Sequence, residues 1–166
     1  MSEELKIRRA RPADLGTVLA ILEDAAQRAA SKGLAMWPLE FPRQPLAEAI
    51  EQGEVYLALL DGQAVGTLTL QWSDRPIWGD RPEDAGYVHK LAIHHTYAGR
   101  ELGRRLLAWA ERTIAAAGRD YARLDCMASN PVLRDYYERA GYEYRGETQA
   151  TGWRASLYEK RVSTGR

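Results

Sequence analysis

The segment EVYLALLDGQAVGTLTLQW, residues 54–72, sets two β-rich runs on either side of Asp61-Gly62. An Asp-Gly pair tolerates the positive φ angles of a two-residue turn, and such turns join neighbouring antiparallel strands. A chain built around this hairpin is not a doubly wound sheet of purely parallel strands, which argues against a nucleotide-binding fold of that kind. The remaining elements must be arranged around an antiparallel pair.

Before the hairpin, KIRRARPADL gives a short strand around Ile7 and then a helix start. Asp14 or a neighbouring polar residue caps the apolar run Leu15, Val18, Leu19 and Leu22, and the helix is expected to end near Gly33. Pro38, Pro42 and Pro45 punctuate the next loop, and the last suits the first turn of a short helix over residues 46–52. After the hairpin, residues 73–85 show no periodicity over thirteen positions. Connections of that length are commonly functional, since the usual one has about 4–6 residues. Residues 87–93 read as a fourth strand. The next helix carries Leu102, Leu106 and Trp109 on one stripe and Leu107, Ala110 and Ile114 on the adjoining one, a face wide enough to cover a sheet. Residues 121–128 form a fifth strand, Pro131 begins a helix that Gly141 stops, and residues 142–145 and 153–159 suit a closing strand pair.

With 166 residues, 45% hydrophobic and 28% charged, the chain is expected to form one domain over residues 1–166. Lysine plus arginine equals aspartate plus glutamate at 23 each, so no basic field marks a nucleic-acid partner. The single cysteine, Cys126, makes no internal disulfide, and its apolar strand context suggests inert burial. The start MSEELKIRR lacks the apolar run of a signal peptide, and no stretch approaches the roughly 18 apolar residues of a membrane span. A cytoplasmic protein with no membrane partner is expected.

The order of elements and their residues resemble the GNAT superfamily of acetyl-CoA-dependent N-acetyltransferases over nearly the whole chain. Leu91-Ala92-Ile93 fits the family's L-x-V strand, and Asn130 through Tyr137, Glu138 and Gly141 fits its N-x-x-x-x-x-x-Y-E-x-x-G-F/Y segment. The family's Q/R-x-x-G-x-G/A turn falls on Ala98, Gly99, Arg100, Glu101, Leu102 and Gly103, where only the final glycine matches outright. The resemblance implies an α/β fold with a mixed, mostly antiparallel sheet of about six to seven strands flanked by about four helices. That sheet splays between strands four and five, where acetyl-CoA inserts.

A helix start leaves its first N–H groups unpaired and presents partial positive charge, so amides over Gly99, Arg100, Glu101, Leu102, Gly103 and Arg104 suit a pyrophosphate. Glu101 sits where the family has glycine. It is compatible with a phosphate seat if its side chain turns to solvent, where it favours the helix start and stands i, i+4 to Arg105.

Acetyl transfer needs a neutral amine, a polarised thioester carbonyl and a proton for the departing thiolate. The resemblance assigns the pantetheine arm and carbonyl polarisation to backbone groups around Leu91, Ala92 and Ile93, and thiolate protonation to Tyr137. It puts Asn130 beside coenzyme A, a residue that also suits a helix cap. Some relatives carry a glutamate base at the position of Tyr87. His89 lies two residues on, on the same strand face, with a side chain suited to proton transfer, although a structural histidine is the plainer reading. His94 and His95 are expected to point apart with no carboxylate at ligand spacing, so no metal is expected.

Substrate recognition is expected from the loop with Trp37, Pro38, Glu40 and Phe41 and from the loop with Trp72, Asp74, Trp78, Asp80, Glu83 and Asp84, together with Tyr87 and Asp125. Aromatics among carboxylates suit a cationic amine, while a lid or subunit contact fits these loops equally and a structural ion pair fits Asp125 equally. The expected partner is a small-molecule amine, with a homodimer left open. Alternatives are acetylation of a peptide or protein amine, and a non-catalytic acyl-CoA-binding module.

Overall fold

Asp61 and Gly62 take φ angles of 51° and 82°, the two consecutive positive values that a tight hairpin requires. They join β2 (Val55–Leu60) to β3 (Gln63–Gln71), which pair antiparallel from Leu60↔Gln63 to Val55↔Thr69. The computed structural model describes residues 4–34 and 37–163. Its other strands are β1 (Leu5–Arg9), β4 (Ala85–Ile93), β5 (Tyr121–Met127), β6 (Glu143–Ala150) and β7 (Trp153–Arg161). The helices are α1 (Leu15–Ser31), α2 (Arg43–Glu51), α3 (Arg75–Trp78), α4 (Leu102–Ala116) and α5 (Pro131–Arg139). The result is a mostly antiparallel, open seven-stranded sheet, in the order β1-β2-β3-β4-β5-β7-β6, with five helices. Among the described residues, no helix is long and apolar enough to cross a membrane.

The described residues divide into two compact units: residues 4–33, 37–70 and 90–107, and residues 34, 71–89 and 108–163. In the first, β1 pairs antiparallel with β2, and Val18, Leu22, Leu57, Val65, Leu68 and Leu106 are all but inaccessible to solvent. Asp14 stands at the start of α1, but its carboxylate turns back to accept from the Arg11 N–H (2.8 Å) and Arg8 (2.8 Å). Helix α2 begins three residues earlier than expected, so Pro45 is its third residue. That is still within the first turn, where a missing N–H costs nothing.

In the second unit, β4 and β5 run parallel over three residue pairs, Ala85↔Tyr121 to Tyr87↔Arg123. β5 and β7 pair over seven, Tyr121↔Arg161 to Met127↔Ala155. β6 extends five residues past the expected end at 145, whereas β7 ends two residues past the expected 159. A register shift between Tyr144 and Glu147 breaks the alternation that marks a strand in sequence. The aperiodic stretch after Trp72 contains the four-residue α3.

Candidate functional site

In the first unit, β4 delivers the chain to the turn before α4. Lys90 interrupts the strand with φ 53°, after which Leu91 and Ile93 are half-buried and Ala92 is buried. The Ile93 carbonyl accepts from Arg28 (3.3 Å), which fixes the strand end against α1. Gly99 has φ 81° and nothing within 4 Å of where a Cβ would stand. Glu101 has φ 60°, so this glutamate occupies the left-handed conformation that the family glycine would take freely. Its side chain is exposed, as are Ala98, Arg100 and Arg104, while Leu102 is buried and Gly103 half-buried. Leu102 therefore anchors the helix while the turn faces water.

The helical ladder is joined at Arg105, whose N–H donates to the Glu101 carbonyl (3.2 Å). The amides ahead of it belong to the first turn, which has no intrahelical acceptors to offer. Arg100, Arg104 and Arg105 add positive charge to the helix dipole. This open, basic, backbone-lined turn fits a pyrophosphate.

His94 and His95 correct an expectation. Their rings lie 4.5 Å apart and share Asp24, whose carboxylate accepts from the His95 N–H (2.9 Å) and lies 2.6 Å from His95 Nδ1 and 3.8 Å from His94 Nε2. β4 ends at Ile93, and residues 95–97 form a 3-10 turn, so strand alternation no longer sends the two side chains apart.

In the second unit, Asn130 caps α5. Its Oδ1 accepts from the Leu133 N–H (3.1 Å), and the residue is 1% exposed. Two turns further, Tyr137 is 8% exposed among the rings of Tyr136, Tyr142 and Tyr158, at 5.4, 6.1 and 6.4 Å. Burial pushes its phenol well above the usual value, so the proton stays on the oxygen at neutral pH. A thiolate formed in similar surroundings would lose solvation too, so the difference between the two anions decides the transfer. Cys126 is free and buried, and burial pushes its thiol up to about 12, as its inert reading requires.

The same unit gathers three groups that the sequence keeps apart. His89 Nε2 lies 3.3 Å from Asp74 Oδ2, and Asp125 joins them, with one ligand-type atom from each residue within 4.8 Å of the others. The buried Asp74 Oδ2 and His89 Nε2 have no hydrogen-bond partner. Burial raises the Asp125 carboxyl to about 6, with His89 opposing and Asp74 adding to the rise. Asp74 also lines a cavity of about 240 Å³, together with Trp72, Asp80, Arg81, Glu83 and Tyr87.

The aromatic residues expected to meet substrate differ in exposure. Trp72 is 39% exposed, with the Arg119 guanidinium over its ring (5.3 Å). Trp37, in the first unit, is half-buried against Phe41 (5.8 Å). Trp78 and Tyr87 are core residues instead, 4% and 3% exposed, because α3 turns the indole in against Ala85, Tyr87 and Leu157. Tyr87 also lines the cavity, and its hydroxyl accepts from Arg123 (2.9 Å), which also holds Glu159 (2.7 Å). That pairing makes it a structural phenol. Asp74 was legible only as one carboxylate in a loop, and no spacing ties it to His89.

A model of the Acetyltransferase (GNAT) family matches residues 19–142. The chain is similar to an uncharacterized N-acetyltransferase, YesJ, of Bacillus subtilis (strain 168), with 31% identity over 159 residues, 90% of this chain and 86% of that protein. It is also similar to the S-(2-succino)cysteine N-acetyltransferase of the same organism, with 29% identity over 119 residues, 68% of each chain. Among solved structures, an acetyltransferase of the GNAT family from Listeria monocytogenes 4b F2365 matches with a TM-score of 0.82 at 25% identity, covering 98% of this chain and 99% of that one.

Proposed function

Because this chain belongs to the GNAT family of acetyl-CoA-dependent N-acetyltransferases, we propose that its acceptor is the primary amine of a small molecule. One observation carries the reading: Asp74 both lines the cavity and lies against His89. An alkyl amine is protonated at neutral pH, with a pKa of about 10.4, and must shed a proton before it attacks. Asp74 and Asp125 attract the ammonium, and His89, whose buried Nε2 lies 3.3 Å from Asp74, takes the proton. The relative named for S-(2-succino)cysteine, itself a small amine, supports this choice.

Acetyl-CoA supplies the activated acetyl group. The residues of this chain divide the remaining work. The Gly99 to Arg104 turn holds phosphates through main-chain amides, and main-chain groups at Leu91 and Ile93 hold the pantetheine arm. Tyr137 gives its proton to the departing sulfur, and Asn130 fixes the start of the helix that carries Tyr137.

The test is thiolate release from acetyl-CoA with a panel of small primary amines and amino acids beside N-terminal peptides. Turnover with small amines, lost in Asp74→Asn, supports the reading. Turnover with peptides alone contradicts it.

A further inference from the structure

We propose that Asp74, His89 and Asp125 form a zinc site in the second unit. This goes beyond acetyl transfer, which needs no metal in the reading above. The three residues each offer one ligand atom, all within 4.8 Å of one another. His89 Nε2 and Asp74 Oδ2 are 3.3 Å apart, and the Asp74 side chain is only 7% exposed. Bonds of about 2.0–2.2 Å to zinc place neighbouring ligands of a tetrahedron roughly 3.4 Å apart. The imidazole and Asp74 thus already stand at the spacing of one tetrahedral edge, and Asp125 offers a third ligand atom within 4.8 Å of both.

The electronic argument agrees with the distances. Asp74 Oδ2 and His89 Nε2 are buried and meet each other at 3.3 Å without forming a hydrogen bond, a costly arrangement that a shared cation would relieve. Two carboxylates and a neutral imidazole balance a divalent cation. An imidazole among three ligands favours zinc over magnesium or calcium, which take six or more oxygens. The second histidine-aspartate group, Asp24 with His94 and His95, has less to offer. Both Asp24 oxygens are engaged by His95, and His94 Nδ1 accepts from the Thr96 N–H (3.2 Å).

A ring nitrogen bound to zinc cannot take a proton from an amine, so zinc should also inhibit turnover. The decisive experiment does not depend on activity. Untagged protein, stripped with chelator, is titrated with zinc chloride by calorimetry and with cobalt(II) by visible absorption. One equivalent should bind, with the intense cobalt spectrum of tetrahedral coordination. His89→Ala and Asp74→Asn should each weaken binding at least about tenfold, while Asp24→Asn leaves it unchanged. Thermal melting without metal checks that each variant is folded. The proposal is overturned if neither metal binds, or if binding survives in folded His89→Ala and Asp74→Asn. Acetyl transfer by the metal-free protein is measured separately, so loss of the zinc site leaves the proposed function standing.

Discussion

Helices α4 and α5 meet the same physical problem at their N-termini and solve it in opposite ways. Each starts with amides that lack intrahelical acceptors. At α5, Asn130 is buried and its side chain takes up the Leu133 N–H (3.1 Å), with Pro131 following as a first residue that needs no partner. That start is completed from within, and it fixes the helix that carries Tyr137. At α4, the chain arrives through Gly99 and a left-handed Glu101 whose side chain is exposed. That start presents backbone to the surroundings, as a phosphate seat must. The side chain that completes one helix is chemically specific, whereas the proposed seat at the other would depend on backbone shape and would tolerate a residue as unlike glycine as glutamate.

The largest effect should come from the chemistry that the closed start supports. Tyr137→Phe should lower kcat roughly 100-fold, within the range for general acid catalysis, while KM for acetyl-CoA changes little. An unchanged kcat would reduce Tyr137 to a packing residue in its ring cluster. Asn130→Ala should cost about 1–2 kcal/mol of stability in urea unfolding, and Asn130→Asp should recover much of that, because either side chain caps. A loss as small with alanine as with aspartate would remove the contrast between the two starts.

At the open start, Glu101→Gly should stabilise the fold by up to about 1 kcal/mol, because glycine relieves the left-handed backbone. Destabilisation would mean that the carboxylate does more at the helix N-terminus than its strain costs. The smallest effect belongs to the start of α1. Hydrogen bonds from Arg8 to Asp14, aided by the Arg11 N–H, outweigh burial and hold the carboxyl below its usual 3.8. Since the folded value lies below the unfolded one, this stabilisation is present above pH 3.8 and fades as pH falls through the folded value. Asp14→Asn should therefore be less stable than the parent at neutral pH and converge on it in acid, as measured by urea midpoints across pH.

What the sequence made legible was local. Asp61-Gly62 announced its turn, Pro131 and Gly141 bounded α5, and the apolar stripes of α4 turned out buried at Leu102, Leu106, Leu107, Ala110 and Ile114. A motif's spacing placed the turn before α4, and the structure has Gly99 and Glu101 there at positive φ. What stayed hidden depends on chain return. Asp74 reaches His89 across fifteen positions of loop and strand, and Asp24 reaches the histidine pair from another helix. Trp78 read as a loop aromatic free to meet substrate, yet α3 buries it. A bulge in β6 concealed half of that strand.

The measurement that tests the account most directly is calorimetric titration of the parent and of Glu101→Gly with acetyl-CoA. A seat made by main-chain amides, with the glutamate turned to solvent, predicts that both proteins bind and that their affinities agree within about threefold, less than 1 kcal/mol. Failure of the parent to bind, with binding appearing only in the glycine variant, would show that the carboxylate excludes the phosphates and would contradict the account.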